Sequence, residues 1–107
     1  MIRKPSCDAF CDTPLDTMLR NLARDTVIVT GMLTNYCCGT TARQAHERGY
    51  KVVVGSDVTA ADDESRQEPE LAVLRKAFAL VQTAEEITNR LTAATHAPDD
   101  EGRAKIA

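Results

Sequence analysis

Residues 26–30 read TVIVT, five β-branched side chains in a row between Asp25 and Gly31. A run this short and continuously apolar does not alternate between a wet and a dry face. It reads as a strand covered on both sides, the pattern of a parallel sheet. YKVVVGSDV at 50–58 and FALVQT at 78–83 repeat the signal. Helical patterns lie around and between these runs. Leu15, Met18, Leu19 and Leu22 recur at three- and four-residue spacing behind Thr13 as N-cap and Pro14 at the first helical position, and Asp25 ends that helix. A second helix is expected over Thr40 to Arg48, closed by Gly49. A third is expected from about Glu68 to Ala77 after the acidic loop AADDES, 61–66. A fourth, AEEITNRLTAA, is capped by Thr83. The order α-β-α-β-α-β-α predicts an α/β fold, three-layer α/β/α with a parallel sheet of about three strands.

Such a sheet is thin, and 107 residues make one small domain. Only 4% of the residues are aromatic and none is Trp, so the core must come from Val, Ile, Leu and Ala. Residues 1–92 are assigned to the domain. HAPDDEGRAKIA has few core-type side chains, and 93–107 is expected to be a disordered tail. A net charge of −3 gives no basis for nucleic-acid binding or a polybasic membrane patch. No apolar run reaches the roughly 18 to 20 residues needed to span a bilayer. No apolar segment follows the basic N-terminus as in an export signal, so the chain reads as cytoplasmic and its four cysteines as reduced thiols.

Chemistry concentrates in GMLTNYCCG, 31–39, at the carboxyl end of the first strand, where ligands gather in open α/β sheets. Cys37 and Cys38 open the following helix. Unpaired N–H groups and the positive end of the helix dipole stabilise a thiolate there. Cys38, Ala42 and Ala45 fall at i, i+4 and i+7, a small-residue face for packing on the sheet. Cys37 lies about 100° away, at the mouth of the loop. Cys38 is therefore the core candidate and Cys37 the reactive one. Core filling, a strained vicinal disulfide and metal binding are the competing readings. Cys7 and Cys11 are spaced C-x3-C, and neither His46 nor His96 stands near a second ligand cluster, so no metal site is assigned. The loop has neither phosphate-binding glycine pattern.

GMLTNYCCGTTARQAHERGYKVVVGSDVTAADD resembles the isochorismatase-like cysteine hydrolases, which include nicotinamidases and N-carbamoylsarcosine amidohydrolases. That family carries a strand, G-x-x-T-N-x-C, a T-A-R-x-A helix and G-Y-x-V-x-V-x-x-D. RKPSCDAFCDTPLDTMLR is similar to its K-x-x-x-S/D-A-F-x-x-T-x-L segment, and LAVLRKAFALVQTAEEI to its last helix, strand and helix. The resemblance spans about residues 2–92 and implies a Rossmann-like isochorismatase fold. It implies Cys37 as nucleophile and Lys4 as the lysine of an Asp-Lys-Cys set. It also implies a cis peptide between Met32 and Leu33 that turns the Leu33 N–H toward an oxyanion beside the Cys37 N–H. Thr34 and Asn35 are expected to cap and orient the loop, and Asp57 to serve a loop or cap. Gln67 stands where many members have His. The acidic run at 62–64 reads as a polar loop, with His46 and His96 solvated.

No segment here matches the family's D-x-Q-N-D-F aspartate motif. On the resemblance the chain corresponds to a C-terminal half, with the N-terminal strands, the aspartate and the nicotinamidase zinc ligands missing. The implied reaction is cysteine-dependent hydrolysis of a small, non-peptide amide, impaired in this chain, with no cofactor. The implied partners are a small-molecule substrate and either a second copy or the missing half. The competing class is a non-catalytic α/β module that associates through the open sheet edge beside TVIVT.

Overall fold

The computed structural model describes residues 3, 4 and 6–96, with side chains to residue 93. The elements are α1 (Leu15–Asn21), β1 (Thr26–Met32), a π-helical turn (Thr34–Cys38), α2 (Gly39–Glu47), β2 (Lys51–Ala60), α3 (Glu64–Ala77), β3 (Leu80–Gln82) and α4 (Ala84–His96). The strands form one parallel sheet in the order β1-β2-β3. The three-layer α/β/α arrangement with a parallel sheet is therefore present. No helix among the described residues is long and apolar enough to cross a membrane. The expected tail falls, from residue 97 onward, outside the described residues, while 93–96 belong to α4.

Sequential strand order determines where the helices lie. Two right-handed crossovers stepping the same way along a sheet leave both helices on one face. α2 and α3 accordingly contact each other and the sheet, and α4 packs on β2. Side chains then sort by the period of two along each strand. Val27, Val29, Val52, Val54 and Val81 point to the α2–α3 side and join Cys38, Ala42, Ala45, Leu71 and Leu74 in the core. Thr26, Ile28, Val53, Leu80 and Gln82 line the other face with Ile87 and Leu91 of α4.

Helix ends account for most boundary differences. α3 starts four residues earlier than expected because Asp63 is its N-cap: the Asp63 carboxylate accepts the Ser65 N–H at 2.9 Å. That bond holds the Asp63 carboxyl below its usual range. The acidic run is thus a helix start rather than a free loop, and Pro69 lies inside α3, where its ring removes one backbone donor. Thr83 caps α4 as expected, and the cap is reciprocal: Glu86 N–H donates to Thr83 Oγ1 at 3.2 Å, and Thr83 N–H to Glu86 Oε1 at 3.0 Å. α1 begins one residue later than expected, with Pro14 at the cap, although Leu15 N–H still donates to Thr13 Oγ1 at 3.3 Å.

α1 and α2 end alike. Gly49 (φ +90°) donates to His46 O and Tyr50 to Ala45 O, and one helix earlier Ala23 (φ +56°) donates to Arg20 O and Arg24 to Leu19 O. The left-handed conformation suits Gly49 and is strained for Ala23. Ala23→Gly is expected to stabilise the fold by about 0.5–1 kcal/mol, read as a rise in the urea midpoint at unchanged slope. No change, or a lower midpoint, would contradict this reading of the turn.

β1 and β2 stay in register from Thr26↔Lys51 to Val29↔Val54, then resume at Gly31↔Thr59, two steps on β1 against five on β2. The extra β2 residues loop out. Thr59 Oγ1 ties the loop by donating to Gly55 O at 2.7 Å, and Asp57 at its crest accepts the Ala84 N–H at 2.7 Å. Asp57 thus serves the start of α4, the cap role expected of it.

Candidate active site

β1 delivers the chain to Met32, and the Met32–Leu33 peptide is cis, as the resemblance implies. Five residues in π-helical geometry follow, with the Cys38 N–H bonded to Leu33 O at 3.0 Å. The helical run thus begins at Thr34, not Thr40, and both cysteines sit at the join with α2 instead of at a free helix start. Leu33 is the capping residue. Thr34, expected to cap, is instead fully buried with no hydrogen-bond partner for its hydroxyl among the described residues. Asn35, expected to orient the loop, donates its Nδ2 to Asp62 Oδ1 at 2.9 Å. Gln67 spans the β2 loop on the far side, its amide nitrogen donating to Thr59 O at 3.2 Å.

The two cysteines separate as helix geometry requires. Cys38 is buried with Ala42 and Ala45, its Sγ toward Thr30 O at 3.7 Å, and burial pushes its thiol pKa up. Cys37 is half-buried and faces a groove of about 300 Å³ along the edge of β1 that no other described strand covers. Lys4, Thr30, Met32, Cys38 and Thr41 share its lining. Three neighbours act on the Cys37 sulfur. The Cys7 thiol beside it donates to its thiolate and lowers its pKa most. The Lys4 ammonium, by charge and by hydrogen bond, and the Leu33 backbone N–H pull the same way, against the effect of burial.

Lys4 is held near Cys37 by its own loop: its Nζ donates to Ser6 O and Cys7 O, each at 3.2 Å. That loop is pinned to α2 by Thr41, whose Oγ1 donates to Cys7 O at 3.2 Å and accepts the Ala9 N–H at 3.0 Å. Thr41 lies one turn beyond Cys37 on the same helix face, so one threonine fixes the loop over the thiol. The structure thus brings Cys37, Lys4 and Leu33 together and leaves Asn35 on the far wall of the loop. Sequence reasoning missed Thr41 and Cys7. The i, i+4 spacing from Cys37 was an available signal for Thr41, and nothing local marks Cys7. Cys11 stays apart, its Sγ facing the Asp12 carboxylate at 3.9 Å. His46 is exposed, edge-on to Phe78 at 5.5 Å. Among the described residues no group of three or more His, Cys, Asp or Glu is placed to hold a metal ion.

The isochorismatase domain profile matches residues 1–86. This overturns the expectation that the likeness is to a C-terminal half alone, since the domain match covers most of the chain. Nicotinamidase 3 of Arabidopsis thaliana is 35% identical over 91 residues, covering 85% of this chain and 46% of that protein. The crystal structure of a cysteine hydrolase from Pseudomonas syringae pv. phaseolicola superposes with a TM-score of 0.83 at 35% identity, covering 86% of this chain and 48% of that one. An isochorismatase-like hydrolase from Alkaliphilus metalliredigens superposes at 0.80 with 34% identity, covering 84% and 50%. The chain therefore spans about half the length of these relatives. With its parallel sheet, its cysteine at the end of β1 and a domain match over most of its length, the chain belongs to the isochorismatase family of hydrolases.

Proposed function

We propose that Cys37 is the nucleophile of a cysteine-dependent hydrolase acting on a small, non-peptide amide. The observation that carries this reading is the convergence of Lys4, Cys7 and the Leu33 N–H on one half-buried thiol in a groove. All three favour the thiolate, the form that attacks carbonyl carbon. In this reading Lys4 holds the thiolate. The N–H groups of Leu33 and Cys37 take the charge that develops on the carbonyl oxygen. The C–N bond breaks as the amine leaves with a proton taken up from solvent, and water then hydrolyses the thioester, releasing the acid and the thiol. The groove lining contains Lys4 but no Asp or Glu, so the first proton has no carboxylate to go to among the described residues. Turnover by the chain alone is accordingly expected to be weak or absent.

The test is acylation with a small activated ester, followed by intact mass and peptide mapping. Cys37 is expected to carry the acyl group, and Cys37→Ser to abolish it. The folded-state pKa of Cys37 is depressed, so the reactive form persists below the usual thiol range of about 8.5 and is lost only as pH falls through the lowered value. Lys4→Met is expected to move the pH profile upward. Labelling spread evenly over the four cysteines, or a profile that Lys4→Met leaves in place, sinks the reading.

A second reading rests on the open edge of β1, which pairs only with β2 among the described residues. In it the chain is a non-catalytic module that docks a second copy along that edge. A strictly monomeric sedimentation profile at micromolar concentration would dispose of it.

A further inference from the structure

Amide hydrolysis at Cys37 uses one of two neighbouring thiols, and it rests on the function proposed above. The other, Cys7, thirty positions back along the chain, is exposed and interacts with the Cys37 thiol, and its backbone is bonded to Thr41, one turn from Cys37. The backbone that carries Cys7 is held in place. Cys7 O is held from two sides, by Lys4 Nζ and by Thr41 Oγ1, each at 3.2 Å, and the following turn is fixed by the Ala9 N–H on the same threonine. Thr41 stands one turn above Cys37, so the loop that carries Cys7 is fastened to the helix face that carries Cys37. The remaining thiols are placed differently. Cys38 is 4% exposed and turned to Thr30 O, and Cys11 faces the Asp12 carboxylate.

We infer that Cys7 and Cys37 form a peroxide-responsive thiol pair, in which Cys37 is oxidised first and Cys7 resolves it to a reversible intramolecular disulfide. The electron balance is that of two thiols and one hydroperoxide. The Cys37 thiolate attacks one peroxide oxygen; an S–O bond forms, the O–O bond breaks, and the leaving hydroxide is protonated to water (or to an alcohol from an organic peroxide). Cys7 then attacks the sulfenic sulfur. The S–S bond forms, the S–O bond breaks, and hydroxide leaves with the Cys7 proton as water. Both sulfurs are oxidised and the peroxide is reduced. A small dithiol reverses the step by exchange. The division of roles follows from the surroundings: Lys4 and the Leu33 N–H favour the thiolate on Cys37, while Cys7 is the protonated donor of the pair. The disulfide occupies the Cys37 sulfur, so it silences that thiol whether or not Cys37 hydrolyses an amide.

The test treats the purified, reduced chain with hydrogen peroxide and maps the products by non-reducing digestion and mass spectrometry. The expected result is a chain lighter by two hydrogens, linked Cys7 to Cys37, that regains iodoacetamide labelling of Cys37 after dithiothreitol. Cys11→Ser should leave the link in place. Cys7→Ser should lose it and carry Cys37 onward to sulfinic acid, with an unchanged circular dichroism spectrum as control for folding. A link from Cys7 to Cys11, a vicinal Cys37–Cys38 link, links only between chains, or no disulfide at all would overturn the inference. Because the map is made on the unmutated chain, it remains decisive even if a variant misfolds.

Discussion

The purified 107-residue chain is expected to hydrolyse small non-peptide amides roughly 10³- to 10⁵-fold more slowly than a cysteine hydrolase whose nucleophile has its base in place. The reason is the make-up of the groove. Cys37 has a cation and a backbone donor that stabilise its thiolate, but the lining offers no carboxylate to shuttle the proton to the leaving amine. Asp8, close by in sequence, is spent on its own turn, accepting the Phe10 N–H at 2.8 Å. Thiolate stability and general acid–base transfer are separate contributions, and the groove supplies the first. The measurement is product release under multiple turnover, with Cys37→Ala as blank. Rapid hydrolysis that disappears in Cys37→Ala would show that a base has been overlooked.

Leu74→Ala should destabilise the chain by about 2–5 kcal/mol, the range for truncating a fully buried leucine. Leu74 is 0% exposed, on the α3 face that joins α2 and the strand valines in the core. Its backbone also ends the helix, with the N–H groups of Phe78 and Ala79 donating to Leu74 O at 2.9 and 2.8 Å. A three-stranded sheet with this few large apolar side chains has little in reserve, so a loss of that size should leave much of the population unfolded at 25 °C. Urea denaturation followed by far-UV circular dichroism would check it. A loss below about 1 kcal/mol would mean the cavity collapses, and that the core is looser than its burial indicates.

The sheet was the most legible part of the fold, because a strand buried on both faces leaves an unbroken β-branched run. TVIVT and KVVV have few other uses. Cys38 on the packing face was legible for the same reason, since helical spacing to Ala42 and Ala45 needs no knowledge of the partner. The start of α3 was not. Asp63 caps it, but the capping signal lay inside an acidic stretch that reads equally as a loop, and the expected start fell at about Glu68, just before Pro69. The π-helical turn was invisible, since no residue preference distinguishes it from the first turn of an ordinary helix. Thr34 misled in the same way: a threonine before a helix usually caps, and this one is drawn inward instead. At the site, Cys37 and Lys4 could be named from the resemblance. Cys7 could not, because its position depends on where a turn-rich loop is fastened, and the fastener is a single hydroxyl on another element.

The groove and the open edge of β1 share residues. Val27, Ile28, Val29 and Thr30 line the first and form the second. A strand laid along that edge would therefore become a wall of the cavity. Two binding events that share a wall have a coupling free energy, and the coupling is reciprocal. Whatever factor a neighbouring strand applies to the affinity of a small molecule over Cys37, the small molecule must apply to the affinity of the strand. Occupancy of the cavity is then a measure of association, and a covalent label on Cys37 can be used to titrate it.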